Sequence, residues 1–156
     1  MESASLSEIR NEIKSRTPAE LQALILRLAK YRKENKELVS YLLFEANDDT
    51  AFIKNCKSEL DQVFAEMNKS TSFYIKKTLR KALRIVNQYI KFNGTAKTEV
   101  ELLLYFCKKM RDGNLKRRSQ PVLWNLYQRQ VTRIEKAFKT MHEDLQYDYQ
   151  DAFDEL

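Results

Sequence analysis

The sequence predicts an all-α fold of six or seven amphipathic helices. The 156 residues include only two glycines and two prolines, which leaves little material for hairpin turns or barrels. Apolar residues recur at spacings of three and four through most of the chain, and capping residues precede several of these stretches. We expect the helices to form either a short, HEAT-like α-solenoid or an irregular helical bundle.

The first half of the chain predicts four helices, which we place at about 6–14, 18–33, 36–44 and 49–67. The second has the clearest start, because Thr17 precedes Pro18 and Glu20 in the pattern of an N-cap with a capping box. Asn35 is the expected cap of the third helix. Asp48, or the aspartate after it, is the expected cap of the fourth.

The second half predicts the longest helix at 72–92, followed by helices at 98–112 and from 121 to as far as 145. Glycines at Asn93-Gly94 and Asp112-Gly113 are typical of helix ends. Thr98 and Glu101 repeat the capping-box pattern. The C-terminal segment, 142–156, is acidic and only weakly periodic.

The length predicts a single domain spanning 1–156. Residues 37–44 align with 99–106 at an offset of 62, so two three-helix units, 18–67 and 72–141, are conceivable. The alternative is that any two amphipathic helices look alike at this level of similarity. Periodicity does not decide between a solenoid and a bundle.

Three short runs carry a resemblance: Thr-Pro-Ala-Glu-Leu at 17–21, Ser-Tyr-Leu-Leu-Phe-Glu-Ala at 40–46 and Glu-Leu-Leu-Leu-Tyr-Phe-Cys at 101–107. The sequence resembles a group of small all-helical bacterial proteins of unknown function, and the resemblance could extend over most of the chain. It implies a helical, HEAT-like fold. Because the shared runs are core-packing patterns, it implies no activity and no functional residue.

The residues that enzymes and metal sites need are scarce. His142 is the only histidine, whereas zinc-protease helices need two histidines one turn apart. Cys56 and Cys107 are expected to be buried, reduced thiols; the alternative is a reactive Cys107 beside basic neighbours. Both glycines are helix ends, which excludes glycine-rich nucleotide loops. We predict no catalytic residue, metal or cofactor, and an enzyme built from Glu, Lys and Tyr side chains is a remote third hypothesis.

No run of 18 uncharged apolar residues occurs, and charged residues are present throughout 1–16. These two features predict a cytoplasmic protein with no membrane partner. They leave the oligomeric state open.

Basic residues are concentrated in one third of the chain. Residues 69–118 carry 14 Lys and Arg against 3 Asp and Glu, whereas the flanking segments are slightly acidic. The expected partner-binding residues within this third are Lys77, Arg80, Lys81, Arg84, Lys116, Arg117 and Arg118.

Three hypotheses compete for this basic region: docking of an acidic protein, sequence-independent nucleic-acid binding by the same residues, and a merely solvated surface. We favour a non-enzymatic protein-interaction module. Residues 140–156 carry six acidic groups and no Lys or Arg, so this tail could fold back on the basic region, pair with a neighbouring molecule or fray.

Overall fold

The structure is a computed structural model that describes residues 2–116 and 118–156. All regular secondary structure in these residues is helical, which confirms the predicted all-α class. Eight helices are described: α1 (Leu6–Lys14), α2 (Pro18–Tyr31), α3 (Lys33–Phe44), α4 (Asp49–Ala65), α5 (Ser72–Asn93), α6 (Ala96–Asp112), α7 (Pro121–Phe138) and α8 (Glu143–Asp154). The predicted number, six or seven, is therefore too low.

The additional helix, α8, lies in the acidic C-terminal segment. His142 is its N-cap, and its side chain accepts a hydrogen bond from the Asp144 backbone N–H at 3.3 Å. Leu145, Tyr149 and Phe153 follow at a spacing of four and pack against the hydrophobic core. Three apolar positions among six carboxylates give only a weak periodic signal, which is why the sequence alone did not predict this helix.

The chain forms two compact units, Met1–Ala46 and Asn47–Leu156, called unit 1 and unit 2 below. Their bounds differ from those of the three-helix units suggested by the sequence, 18–67 and 72–141. That repeat and the single domain remain predictions.

Unit 1 contains the hairpin of α2 and α3. The capping box at its start is confirmed, because Thr17 Oγ1 accepts from the Glu20 N–H at 3.3 Å and Glu20 Oε2 accepts from the Thr17 N–H at 2.8 Å. Asn35 is not a helix cap; its Nδ2 donates to the Leu28 carbonyl oxygen at 2.9 Å. Among the described residues of this unit only Tyr41 is buried.

Unit 2 is organised around α6, which contacts α4, α5, α7 and α8. Leu102, Leu103 and Phe106 of α6 are completely buried, so this helix forms the centre of the core. In a solenoid each repeat packs only against its neighbours. The central position of α6 therefore does not support the predicted α-solenoid.

The connection from α5 to α6 shows how local sequence sets the helix ends. Gly94 adopts the left-handed conformation at φ 74°, as expected for the residue after a helix. The next helix begins earlier than predicted, because Thr95 is its N-cap and its Oγ1 accepts from the Thr98 N–H at 3.3 Å. Thr98 itself is completely buried.

None of the described helices combines the length and the apolar character that a membrane span requires.

Candidate functional site

The candidate site is built on α5, the longest helix of the described residues. The hydroxyl of Thr71 caps its first turn by accepting a hydrogen bond from the Tyr74 N–H at 3.4 Å. One face of the helix is buried in the core through Ile75, Leu79, Ala82 and Val86. The opposite face is therefore directed to solvent.

The predicted binding residues of α5 lie on this outer part of the helix. Lys77, Arg80, Lys81 and Arg84 are all exposed. At a rise of about 1.5 Å per residue, Lys77 and Arg84 stand roughly 10 Å apart on the same line along the helix. Within the described part of the chain, none of the four forms an ion pair, so their charge is available to a partner.

A groove of about 440 Å³ separates the first half of α5 from α7. Its basic lining residues are Lys76, Arg80 and Arg129. Its apolar lining residues are Leu83, Val122 and Leu126, and Asn125 and Gln130 complete the lining. The groove thus combines positive charge with an apolar surface, and none of its described lining residues is acidic.

Two groove residues, Lys76 and Arg129, were not among the predicted binding residues. Lys76 lies four positions before Arg80, and Arg129 lies seven positions after Val122, so each shares a helix face with another groove residue. Helical periodicity in the sequence could have assigned Lys76 to the face of Arg80, and Arg129 to the face of Val122. Only the packing of both α5 and α7 on α6 brings the two faces to one groove.

Another arginine of α7 has a different environment. Arg133 Nη2 lies 2.7 Å from Glu99 Oε1, and its Nη1 donates to Asn87 Oδ1 at 2.7 Å. This arginine is therefore neutralised within the protein. Arg80 and Arg129, by contrast, have no carboxylate partner among the described residues.

Lys116 and Arg118 do not simply add to the exposed basic face of α5, because each contacts an aromatic residue of α7. Lys116 is half-buried, and its Nζ lies 3.5 Å from both Tyr127 Oη and the Leu156 carbonyl oxygen. The guanidinium carbon of Arg118 lies 5.3 Å from the centroid of the Trp124 ring. Arg117, the third member of this predicted basic loop, lies outside the described residues.

The acidic tail does not cover the basic face of α5. Tyr149 of α8 donates to Glu101 of α6, and the guanidinium of Arg111 pairs with Glu155 at 2.8 Å. In the described structure, no carboxylate of α8 pairs with a basic residue of α5. The tail folds back on α6, and the candidate surface stays open.

The histidine and the cysteines lie apart from this surface. His142 is exposed at the start of α8. Cys56 and Cys107 are buried, as the sequence predicts, and burial raises the pKa of each thiol to about 12. The described residues contain no group of three or more His, Cys, Asp or Glu side chains arranged to hold a metal ion.

No family model, no curated protein and no solved structure matches this chain. The resemblance of 17–21, 40–46 and 101–107 to small all-helical bacterial proteins therefore stays a prediction from the sequence. The groove between α5 and α7 is therefore the feature from which a function is inferred.

Proposed function

We propose that this protein is a non-enzymatic interaction module that binds an acidic segment of a partner protein along α5. The groove between α5 and α7 is the observation that carries this proposal. Arg80 and Arg129 supply positive charge at the groove, and Val122, which is 51% exposed, supplies apolar surface beside them. A segment with carboxylates on one face and apolar side chains on the other would match both features.

The apolar lining favours a protein partner over a nucleic acid. Protein interfaces draw much of their binding energy from apolar and aromatic anchors that are buried at the centre. Phosphate backbones instead bind through cation contacts and counterion release, and they gain little from aliphatic side chains. Leu83 and Leu126 would have no role in phosphate binding, whereas an amphipathic helix could bury apolar side chains against them.

The basic residues of α5 that do not line the groove would mainly increase the rate of association with the partner. Lys77, Lys81 and Arg84 lie on the exposed side of α5, each one position after a residue that lines the groove, and salt screens their attraction to carboxylates there. Arg80 differs because it also lines the groove. We therefore expect Arg80 to contribute more to affinity than Lys77 or Lys81.

Fluorescence anisotropy with two labelled peptides tests the proposal. One peptide is an acidic amphipathic helix with leucines at i, i+3, i+4 and i+7, and the other has the same composition in a scrambled order. We expect the amphipathic peptide to bind at least about tenfold more tightly, since each 1.4 kcal/mol of apolar contact corresponds to a factor of ten. Labelled single- and double-stranded oligonucleotides are titrated in parallel at several salt concentrations.

Charge-reversal variants locate the binding site. The double variant Arg80→Glu/Arg129→Glu should lose peptide binding, whereas Lys54→Glu/Lys139→Glu, which changes two exposed lysines outside the groove, should retain it. Circular dichroism checks that all variants remain helical.

Three outcomes would count against the proposal. If the scrambled peptide binds equally well, the surface attracts charge alone and the apolar lining contributes nothing. Tighter oligonucleotide binding that falls steeply with salt would assign the same residues to nucleic acid. If none of the probes binds, the basic residues form a merely solvated surface.

A further inference from the structure

A second cavity lies in unit 2, away from the groove, where residues of α4, α6, α7 and α8 meet. Its volume is about 190 Å³. For comparison, an apolar cavity of about 150 Å³ accommodates one benzene molecule. Leu104 and Cys107 of α6 and Ala152 of α8 contribute to its apolar lining.

Most polar groups around this cavity are already paired with one another. Glu101 accepts from Lys57 Nζ at 2.6 Å and from Tyr149 Oη at 2.5 Å. Arg111 is held by two contacts to Glu155, one to its carbonyl oxygen at 2.9 Å and one to its carboxylate at 2.8 Å. These groups therefore shape the cavity, and a ligand would gain little by competing for them.

Lys108 is the exception. It lines the cavity, its side chain is exposed, and it forms no ion pair with any described residue. Of the other described basic residues in the lining, Lys57 is paired with Glu101 and Arg111 with Glu155. A ligand with a single negative charge would pair with Lys108.

We propose that this cavity binds a small monoanion whose apolar body is about the size of one aromatic ring, as in an aryl carboxylate. The ring would lie against Leu104, Cys107 and Ala152, and the carboxylate would lie toward Lys108. The rings of Tyr127 and Tyr149 also line the cavity and suit an aromatic ligand. This site is separate from the groove, so it does not depend on the protein-docking proposal.

Three ligands of similar shape and different charge test the proposal: phenylacetate, phenylacetamide and phenethylamine. Each is titrated into the isotopically labelled full chain and followed by amide chemical shifts. We expect shifts at Leu104 and Ala152, with phenylacetate binding about fivefold more tightly than the neutral amide, in keeping with one exposed charge pair. Phenethylamine should bind more weakly than either.

Two variants identify the parts of the site. Lys108→Met should remove the preference for phenylacetate over phenylacetamide, while Lys54→Met, a matched change at an exposed position of α4, should preserve it. Ala152→Phe should fill the cavity and abolish binding of all three compounds. Because Ala152 and Lys108 are exposed, both variants should fold, and an unchanged amide spectrum outside the cavity verifies this.

The proposal is overturned if phenylacetate causes no shifts at concentrations up to about 10 mM, the weak limit for a specific small ligand. Binding of phenethylamine as tight as that of phenylacetate would overturn the charge assignment. Unchanged binding by folded Ala152→Phe would overturn the location.

Discussion

The hydroxyl of Tyr149 in α8 donates a hydrogen bond to Oε2 of Glu101 in α6 at 2.5 Å, across 48 residues of sequence. The same carboxylate accepts from Lys57 Nζ through its other oxygen, at 2.6 Å. Glu101 thus joins α4, α6 and α8. This contact attaches the acidic C-terminal helix to α6, together with the packing of Leu145 and Phe153 against the core.

Removing the Tyr149 hydroxyl should loosen this attachment. Tyr149→Phe keeps the ring but deprives a half-buried carboxylate of one donor, which should lower the free energy of unfolding by about 1–2 kcal/mol. Tyr147→Phe on the same helix is the control, because Tyr147 is 84% exposed and should change stability by less than about 0.5 kcal/mol. Urea denaturation measures both, and equal effects would contradict the role of the Tyr149–Glu101 contact.

Glu101 should also make stability depend on pH in the acidic range. Burial raises the pKa of its carboxyl, but hydrogen bonds from Lys57 and Tyr149 and the positive charges of Lys57 and Lys97 together lower it by more, so the net pKa lies below 4.5. A carboxyl whose pKa is lowered by folding stabilises the protein above its ordinary pKa. That contribution is lost as the pH falls through the lower, folded-state pKa.

The measurement compares the wild type with Glu101→Gln between pH 7 and pH 3. The wild type should be more stable at neutral pH, and the difference between the two proteins should shrink as the pH drops below 4.5. Glu135→Gln, which removes an exposed carboxyl from α7, controls for the change in net charge. A difference that stays constant with pH would show that the carboxylate form of Glu101 is not what stabilises the fold.

Neighbouring residues at the start of α7 should respond very differently to truncation. Leu123 is 1% exposed, so Leu123→Ala should lower the free energy of unfolding by about 2–5 kcal/mol. Val122 lies in the groove and is 51% exposed, so Val122→Ala should cost less than about 0.5 kcal/mol. If Val122→Ala proved as destabilising as Leu123→Ala, the groove would be part of the core rather than a free surface.

The two thiols should be unreactive in the native protein. Both are completely buried and have a pKa near 12, so at pH 8 only about one in ten thousand is a thiolate. A chromogenic disulfide reagent should detect no thiol in buffer and two per chain in denaturant. Rapid reaction of one thiol in buffer would revive the reactive-Cys107 hypothesis.

Features that depend on a few neighbouring residues could be predicted from the sequence. The all-α class, the capping box at Thr17 and Glu20, and the end of α5 at Gly94 all follow from contacts within about one helical turn. The exposed position of Lys77, Arg80, Lys81 and Arg84 also follows, because helical periodicity puts them opposite the buried stripe.

The predictions from the sequence were wrong where two neighbouring residues could both cap a helix, or where the deciding contact is with a residue far away in the sequence. Thr95 and Thr98 are both acceptable caps by sequence, and Thr98 is completely buried in the structure, whereas Thr95 remains at the helix start. Lys116 looks like any other loop lysine, yet it lies beside Tyr127 and Leu156. No residue within one helical turn of Lys116 in the sequence indicates either contact.

The helical class of this protein, the positions of most of its helices and the basic third of the chain all follow from the amino-acid sequence alone. The folding of the acidic tail on α6, and the meeting of Arg129 with Lys76 and Arg80 at one groove, follow from tertiary packing. This is because helix formation depends on spacings of three and four residues, whereas packing joins residues more than 40 positions apart. The groove and the small cavity both result from packing.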